Sequence, residues 1–456
     1  MTVLLDICYF FGLLLALPVL AYKSWRTGKY RTDWPARLGR VSPEQLKWLQ
    51  AAPPGGRMVL HCVSVGELLS TRLLVEELCR LRPDQRIIVT TTTDTGTARA
   101  RTMYGGGVLA QQVCTLRYPL DFSWAVRRFF NAVQPSMVVL VELETWPNFI
   151  RIARARNIPV RIINGRLTQR SFRRYRLIRP LIAPMFHSIE RFGVQTPAIA
   201  ARFAALGAAP DRIEVLPTMK FDTADMVDQV PGADALCRAV GLDPQLRLLV
   251  GGSTGPGEQD ALITTYLGLR GECADLRLAI APRKPEIVPQ VLLSLHRAGL
   301  EAVRRSTRPD SCMAPLLRAD QVLVLDTLGE LKKLYSVAMG VFSGRSLIPL
   351  GGSDMIEVAA LAKPCCFGPH TYNFADVVEL LLQEGGAVVV HDAGELQKQV
   401  RIWLKDSVAA RAMGLRARQC IVARRGSSQR YAQELVSRDG AWEHGSSDQD
   451  AKASLR

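Results

Sequence analysis

From Met58 onward the chain alternates short, nearly continuous apolar runs with longer amphipathic stretches, and nothing else in it constrains the fold as strongly. A run such as Met137–Val141 has no polar residue on either face, so a strand made from it must be covered on both sides. Strands of that kind, joined by helix-length segments, build parallel sheets with helices packed on either face. The expected strands are Met58–Cys62, Arg86–Thr91, Met137–Val141, Val160–Ile163 and Arg191–Val194. The expected helices between them are Leu68–Arg80, Phe122–Val133, Phe149–Arg156 and Pro197–Leu206. A second series opens near Leu246, with strands Leu246–Val250, Leu276–Ile280, Val322–Leu325, Met339–Ser343, Pro364–Phe367 and Val388–Val390. The polar stretch Thr223–Pro244 between the two series reads as an interdomain connection.

The expected class is therefore α/β, with two Rossmann-like, doubly wound domains at residues 25–222 and 223–430. Two such domains facing a cleft is the GT-B layout of glycosyltransferases, and ligands of these sheets bind beyond the C-terminal strand ends. With 456 residues, 48% of them hydrophobic and 22% charged, the chain can bury such cores, which excludes a disordered protein. Its ten cysteines include no C-x-x-C pair, so they read as reduced, buried thiols rather than a disulfide framework. Residues 431–456 read as a polar C-terminal tail.

The net charge of +16 is local. Six Lys/Arg and one acid fall between Lys23 and Arg40, and ten Arg with no acid fall between Arg151 and Pro180. Ahead of the first cluster, Val3–Tyr22 is apolar apart from Asp6, long enough to span a bilayer core as a helix. Residues 1–24 are therefore expected to anchor the chain at a membrane, and the basic flank places everything after them in the cytoplasm. Asp6 and Pro18 weaken a true span, so a helix lying in the interface is an equal alternative. A cleaved signal peptide fits less well, because no Lys or Arg precedes the apolar run. An Arg-rich stretch also raises nucleic-acid binding, but base stacking needs interleaved aromatics and residues 151–180 offer only Phe172 and Tyr175. No nucleic-acid partner is expected.

Candidate chemistry sits at the strand ends. His61–Glu67 runs off a strand into a helix and leaves Glu67 either as a general base or as a complement to the helix N-terminus. Glu142 and Glu144 follow another strand directly, with Pro147 opening a helix. In the second half, Gly251–Glu258 is a glycine-rich turn whose backbone N–H groups, with Ser253 and Thr254, could cradle a phosphate, although its spacing is not that of a Walker A loop. Pro282–Pro285, Asp326–Glu330 and Gly351–Glu357 complete an expected nucleotide site of helix N-termini, one Arg, and a carboxylate for ribose hydroxyls. No His/Asp spacing suggests a metal, and no cofactor is expected.

Eight motifs in order give the chain a family likeness: SVGE ending at Glu67, TTTTDTG (Thr90–Gly96), E-x-E-x-WPN (Glu142–Asn148), NGRLTQRS (Asn164–Ser171), MKFD (Met219–Asp222), PRKPE (Pro282–Glu286), DTLGEL (Asp326–Leu331) and GPHTYNF (Gly368–Phe374). Through them the chain resembles the 3-deoxy-D-manno-octulosonic acid (Kdo) transferases of lipopolysaccharide synthesis, from the membrane segment to about residue 425. The resemblance implies an inverting, metal-independent GT-B enzyme that moves Kdo from CMP-Kdo to a lipid A precursor at the inner membrane. It implies Glu67 as general base and Glu142 and Lys220 as transition-state stabilisers. It implies CMP contacts from Pro282, Arg283, Leu328, Gly329, Glu330, Asp354, Met355, Ile356 and Glu357. Arg166, Arg170 and Arg173 are candidate contacts for acceptor phosphates, and anionic lipids are the expected partners of the basic clusters.

The chain also departs from the family. Ser353 and Asp354 stand where His-Asn is usual, Met355 and Val358 replace prolines, and Glu357 keeps its identity. Asp354 adds negative charge where a phosphate should bind, unless its carboxylate turns back to cap the backbone at Ile356 or Glu357. The alternative function is thus a related membrane-associated GT-B enzyme with an altered donor. Asp94, in place of the family's proline, reads as a surface change. The number of Kdo residues added, the acceptor's acylation and the oligomeric state are not written in these motifs.

Overall fold

The computed structural model describes residues 2–27, 33–53, 55–243 and 245–437. The described residues form two compact units, one from those up to 223 together with 425–437, and one from those between 224 and 424. The first holds strands β1 (Arg57–His61), β2 (Arg86–Thr91), β3 (Val113–Arg117), β4 (Met137–Val141), β5 (Val160–Gly165), β6 (Arg191–Val194) and β7 (Ile213–Val215). They pair in parallel in the order β3-β2-β1-β4-β5-β6-β7. The second holds β8 (Arg247–Thr254), β9 (Leu276–Pro282), β10 (Glu301–Arg304), β11 (Gln321–Val324), β12 (Gly340–Ser343), β13 (Cys365–Phe367) and β14 (Ala387–Val389). Their order is β10-β11-β9-β8-β12-β13-β14, again parallel.

The apolar runs of the first unit supply two cores at once. Met58 and Leu60 of β1, Ile87 and Val89 of β2, and Val139 and Val141 of β4 enter one hydrophobic cluster. The alternate residues Val59, Ile88, Val138 and Leu140 enter another on the opposite face. Period-two geometry thus turns a continuous apolar run into two half-cores.

Two expectations about organisation change. Residues 233–240 of the expected connection form a helix of the second unit, Ala233–Val240. Residues 427–436, expected in the second domain and the tail, form a helix that returns to the first unit. Its Tyr431 packs over Gly193, where a Cβ would stand 2.2 Å from the ring, and its hydroxyl accepts from Asn164 N at 3.1 Å. Asp222 receives the helix by accepting from Gly426 N and Ser428 N, both at 2.6 Å. The rest of the expected tail, 438–456, lies outside the described residues, as do Lys29 and Arg31 of the first basic cluster.

The N-terminal segment is a helix, Thr2–Thr27. Among the described residues, no helix is long and apolar enough to cross a membrane. Asp6 is instead committed to the folded unit, accepting from Ser123 N at 2.8 Å and Asn148 Nδ2 at 2.9 Å. One turn on, the Tyr9 hydroxyl donates to Asp121 Oδ2 at 2.9 Å. Phe10, Phe11, Leu14, Leu15, Leu17 and Val19 remain exposed.

Candidate active site

The register of the first sheet sets His61 of β1 beside Leu140 of β4, so the turns that follow these strands emerge side by side. After β1, Ser64 caps the helix Val65–Ser70 by accepting from Glu67 N at 3.2 Å. The Glu67 side chain reaches back, and its Oε2 accepts from Val63 N at 2.7 Å. Glu67 is therefore a helix-terminal acid at a strand end, only 7% exposed, a geometry that suits the complement to the helix N-terminus and leaves the general base open. Burial raises its carboxyl above the ordinary range, the Glu142 charge adds to this, and the N–H groups of Val63 and Ser64 oppose it. After β4, Glu142 sits at φ 63°, a left-handed conformation that costs a non-glycine residue energy, while its N–H bonds Ile163 O at 3.0 Å. Glu144 is pushed up to about 8, by burial first and the Glu67 charge second. Three carboxylates thus share one electrostatic neighbourhood, in which one proton is retained near neutral pH.

The groups beneath them are inert. His61 stacks on Tyr118 with ring centroids 3.7 Å apart and lies 3.0 Å from Thr90 Oγ1 through Nδ1. Burial lowers it to about 3, so the imidazole is neutral. In the threonine motif, Thr93 caps the helix Asp94–Tyr104 by accepting from Gly96 N at 3.0 Å. Asp94 is not a passive surface change, because it pairs with both Arg37 and Arg117.

Lys220 opens the turn Lys220–Thr223, which packs against the helix carrying Glu67. Asn164 fixes this turn from β5: at φ 51°, its Oδ1 accepts from Met219 N at 3.2 Å and Gln195 Nε2 at 3.1 Å. The NGR motif names Asn164, but its role toward Lys220 depends on the β5–β6 pairing and was not readable from the chain. Arg166 is half-buried, whereas Arg170 and Arg173 lie on the helix Gln169–Leu177, which buries no residue. Leu177, 83% exposed, follows, with Ile178 and Leu181 also exposed.

In the second unit, three of the expected segments converge. Thr254 O accepts from Arg283 N at 3.0 Å, and Ser253 O accepts from Ser353 Oγ at 3.3 Å. Ser253 and Thr254 are buried, Pro282 is half-buried, and the Arg283 side chain is exposed. Asp354 turns back as sequence allowed, its Oδ1 accepting from Ile356 N at 3.0 Å, while Met355 and Ile356 are buried. Glu357 keeps solvent contact yet is raised, by the crowding of protein around it and then by Asp354, with Lys332 and Arg283 opposing.

Leu328 and Gly329 are exposed. Glu330 is occupied by Arg305, which donates at 3.0 and 2.9 Å, and by Thr327 Oγ1 at 2.6 Å and Lys333 Nζ at 3.2 Å. Burial pushes its carboxyl up, but these bonds outweigh that and hold it below the usual range. The glycine-rich turn differs from expectation. Gly252 is glycine because a Cβ there would stand 1.9 Å from the Tyr335 hydroxyl, and Gly255 N donates at 2.7 Å to the chain's own Glu258.

Residues 32–223 match the family model described as 3-deoxy-D-manno-octulosonic-acid transferase. The chain is 29% identical over 383 residues to 3-deoxy-D-manno-octulosonic acid transferase of Haemophilus influenzae, covering 83% of this chain and 86% of that one. It is 29% identical over 427 residues to the transferase of the same name from Bordetella pertussis, covering 92% and 96%. The crystal structure of a glycosyltransferase from Rickettsia africae shares the fold, with a TM-score of 0.56 at 10% identity over 83% of this chain and 97% of that one.

Proposed function

We propose that this chain is a glycosyltransferase of the Kdo transferase family, to which its first unit and its relatives are similar, and that it transfers Kdo from CMP-Kdo to a hydroxyl of a lipid A precursor, with inversion and without a metal. The observation that carries the reading is Glu67, a nearly buried carboxylate at a strand end whose proton affinity is raised by burial and by Glu142. A carboxylate so tuned accepts a proton from an alcohol better than an ordinary one. The acceptor oxygen, losing its proton to Glu67 Oε1 or Oε2, attacks the anomeric carbon of Kdo while the bond to the cytidylate phosphate breaks. That carbon is quaternary and passes through an oxocarbenium-like state, so no protein nucleophile is required. Lys220 and Glu142 are assigned to the charge that develops there, and Arg283 to the departing phosphate.

The donor reading rests on the second unit. Ser253, Thr254, Pro282, Arg283 and Ser353–Glu357 meet there around backbone hydrogen bonds. An altered donor was suggested by Asp354, and the turn of its carboxylate toward Ile356 N supports CMP-Kdo instead, since it lessens repulsion of a phosphate. We assign the helix Thr2–Thr27 to the cytoplasmic face of the inner membrane, with its exposed Phe and Leu side chains in the lipid interface.

Incubating the full-length protein with CMP-Kdo and a tetraacylated lipid A precursor, with and without EDTA, tests the reading by mass. The expected product carries added Kdo in both arms. Absence of transfer overturns the donor or acceptor, and loss of transfer in EDTA overturns metal independence.

A further inference from the structure

Glu258 is a buried carboxylate, 2% exposed, that begins the helix Glu258–Leu269. Its Oε2 accepts from Gly255 N at 2.7 Å and Arg345 N at 2.6 Å, and its Oε1 from Ser346 N at 2.8 Å and Leu347 N at 2.9 Å. Four backbone N–H groups fill the acceptor capacity of one carboxylate. Among the described residues no Lys or Arg forms an ion pair with it. Arg345 stands at φ 59°, so three successive N–H groups, of Arg345, Ser346 and Leu347, point into one concavity. That is the shape of a backbone anion nest, and the anion in it is the protein's own.

The nest is tied to the donor segments by short links. Arg345 O accepts from Gly352 N at 2.8 Å, and the next residue, Ser353, bonds Ser253 O. Ser346 Oγ accepts from Gly368 N at 2.8 Å, and Ser346 O accepts from His370 N at 2.9 Å, which holds the start of the GPHTYNF motif against the same loop. We propose that Glu258 is a positioning residue of the donor site. It acts as an internal anion that sets the Arg345–Gly352 loop, and through it Ser353–Glu357, before any nucleotide arrives. The inference rests on the CMP-Kdo reading of this unit. Of the glycine-rich turn, Gly255 N is already spent on Glu258.

Glu258→Gln keeps the shape but turns an amide NH2 toward backbone donors, and Glu258→Ala empties the nest. In full-length protein, Glu258→Gln is expected to raise the CMP-Kdo KM and the CMP Kd about tenfold, as loss of bonds to a buried charge does. The acceptor KM is expected to stay unchanged and kcat to fall by less than about threefold. CMP affinity of Glu258→Ala is expected to recover in part on adding formate, a carboxylate that fits the vacated nest, and not on adding chloride. A lowered Tm with unchanged CMP-Kdo KM and CMP Kd in Glu258→Gln would reduce Glu258 to a core residue and overturn the proposal. If Glu258→Ala does not fold, Glu258→Gln decides alone. Wild-type protein that binds no CMP would overturn the donor reading itself, whatever the variants do.

Discussion

At the residue scale, the carboxylates of the first unit divide the work by environment. Glu67→Gln keeps the bond from Val63 N available to an oxygen but removes the base, so kcat is expected to fall by about two to four orders of magnitude with CMP affinity intact. Steady-state kinetics beside CMP titration check this, and turnover near wild type would end the assignment. Glu144 carries a different signature. Its folded value of about 8 lies above the unfolded one, so between roughly pH 4 and 8 the unfolded chain ionises this group while the folded chain keeps its proton. Stability therefore falls as pH rises through that window. Glu144→Gln removes the penalty, and its Tm relative to wild type is expected to be higher at pH 8 than at pH 5. A Tm difference independent of pH would place Glu144 in an ordinary solvated setting. Glu67 and Glu142 were legible through their motifs. Glu144 was visible as the second acid of E-x-E, but its proton affinity comes from the adjacency of β1 and β4, which no local pattern encodes. Glu258 was hidden for the same reason, since three of its four partners lie almost ninety residues away.

At the scale of elements, the strands that the sequence revealed are mostly those buried on both faces. Those it missed, β3, β7 and β10, are edges of their sheets, and polar or charged residues interrupt their short apolar runs. The segment that forms the helix Ser427–Val436 was divided between the second domain and the tail, because its partner, the pit over Gly193, exists only after β5 and β6 have paired. Asp6 shows the converse. In the sequence it is a flaw in an apolar segment, and in the fold it is the latch of the helix Thr2–Thr27. Its partner Asn148 closes the E-x-E-x-WPN motif, and Asp121, which holds Tyr9, also accepts from Asn148 N at 3.0 Å and Phe149 N at 2.8 Å. Burial raises Asp121 to about 6, a further sign that this junction is shielded from water. Asp6→Ala leaves Ser123 N without its acceptor and Asn148 Nδ2 with only Asp121 O, at a cost of about 1–3 kcal/mol. The expected result is a lower Tm together with a raised acceptor KM, because the helix we assign to the lipid interface and the turn that follows Glu142 and Glu144 are pinned to each other. A lowered Tm with an unchanged acceptor KM would make the latch purely structural.

At the scale of the whole molecule, the excess of positive charge belongs to one unit and is concentrated in two stretches of it. Of the ten Arg between 151 and 180, Arg161 is consumed by Glu190 and Glu434, Arg156 donates to Asn131, and Arg179 donates to Ala205 O. Arg170, Arg173, Arg174 and Arg176 instead stand exposed on the helix Gln169–Leu177 and form no ion pair among the described residues. This helix, capped by Thr168, packs only the half-buried Phe172 and Tyr175 against the core, and it ends in exposed Leu177 ahead of exposed Ile178 and Leu181, so much of its surface is basic or apolar and open to solvent. Against an anionic leaflet both features become favourable, since each basic residue near the surface gains about 1 kcal/mol and the apolar side chains reach the interface. The sequence showed the charge but not which arginines were free to act, because their carboxylate partners come from strands and helices far along the chain. Replacing Arg170, Arg173 and Arg174 by Gln is therefore expected to weaken binding to vesicles rich in anionic lipid by roughly two orders of magnitude, with the difference shrinking as salt rises. Binding to zwitterionic vesicles, CMP affinity and Tm should hold, since these side chains are exposed and form no ion pair among the described residues. Vesicle sedimentation at two salt concentrations decides the matter: equal retention of variant and wild type on anionic vesicles would leave the helix Thr2–Thr27 as the sole lipid contact and return the arginine face to solvent.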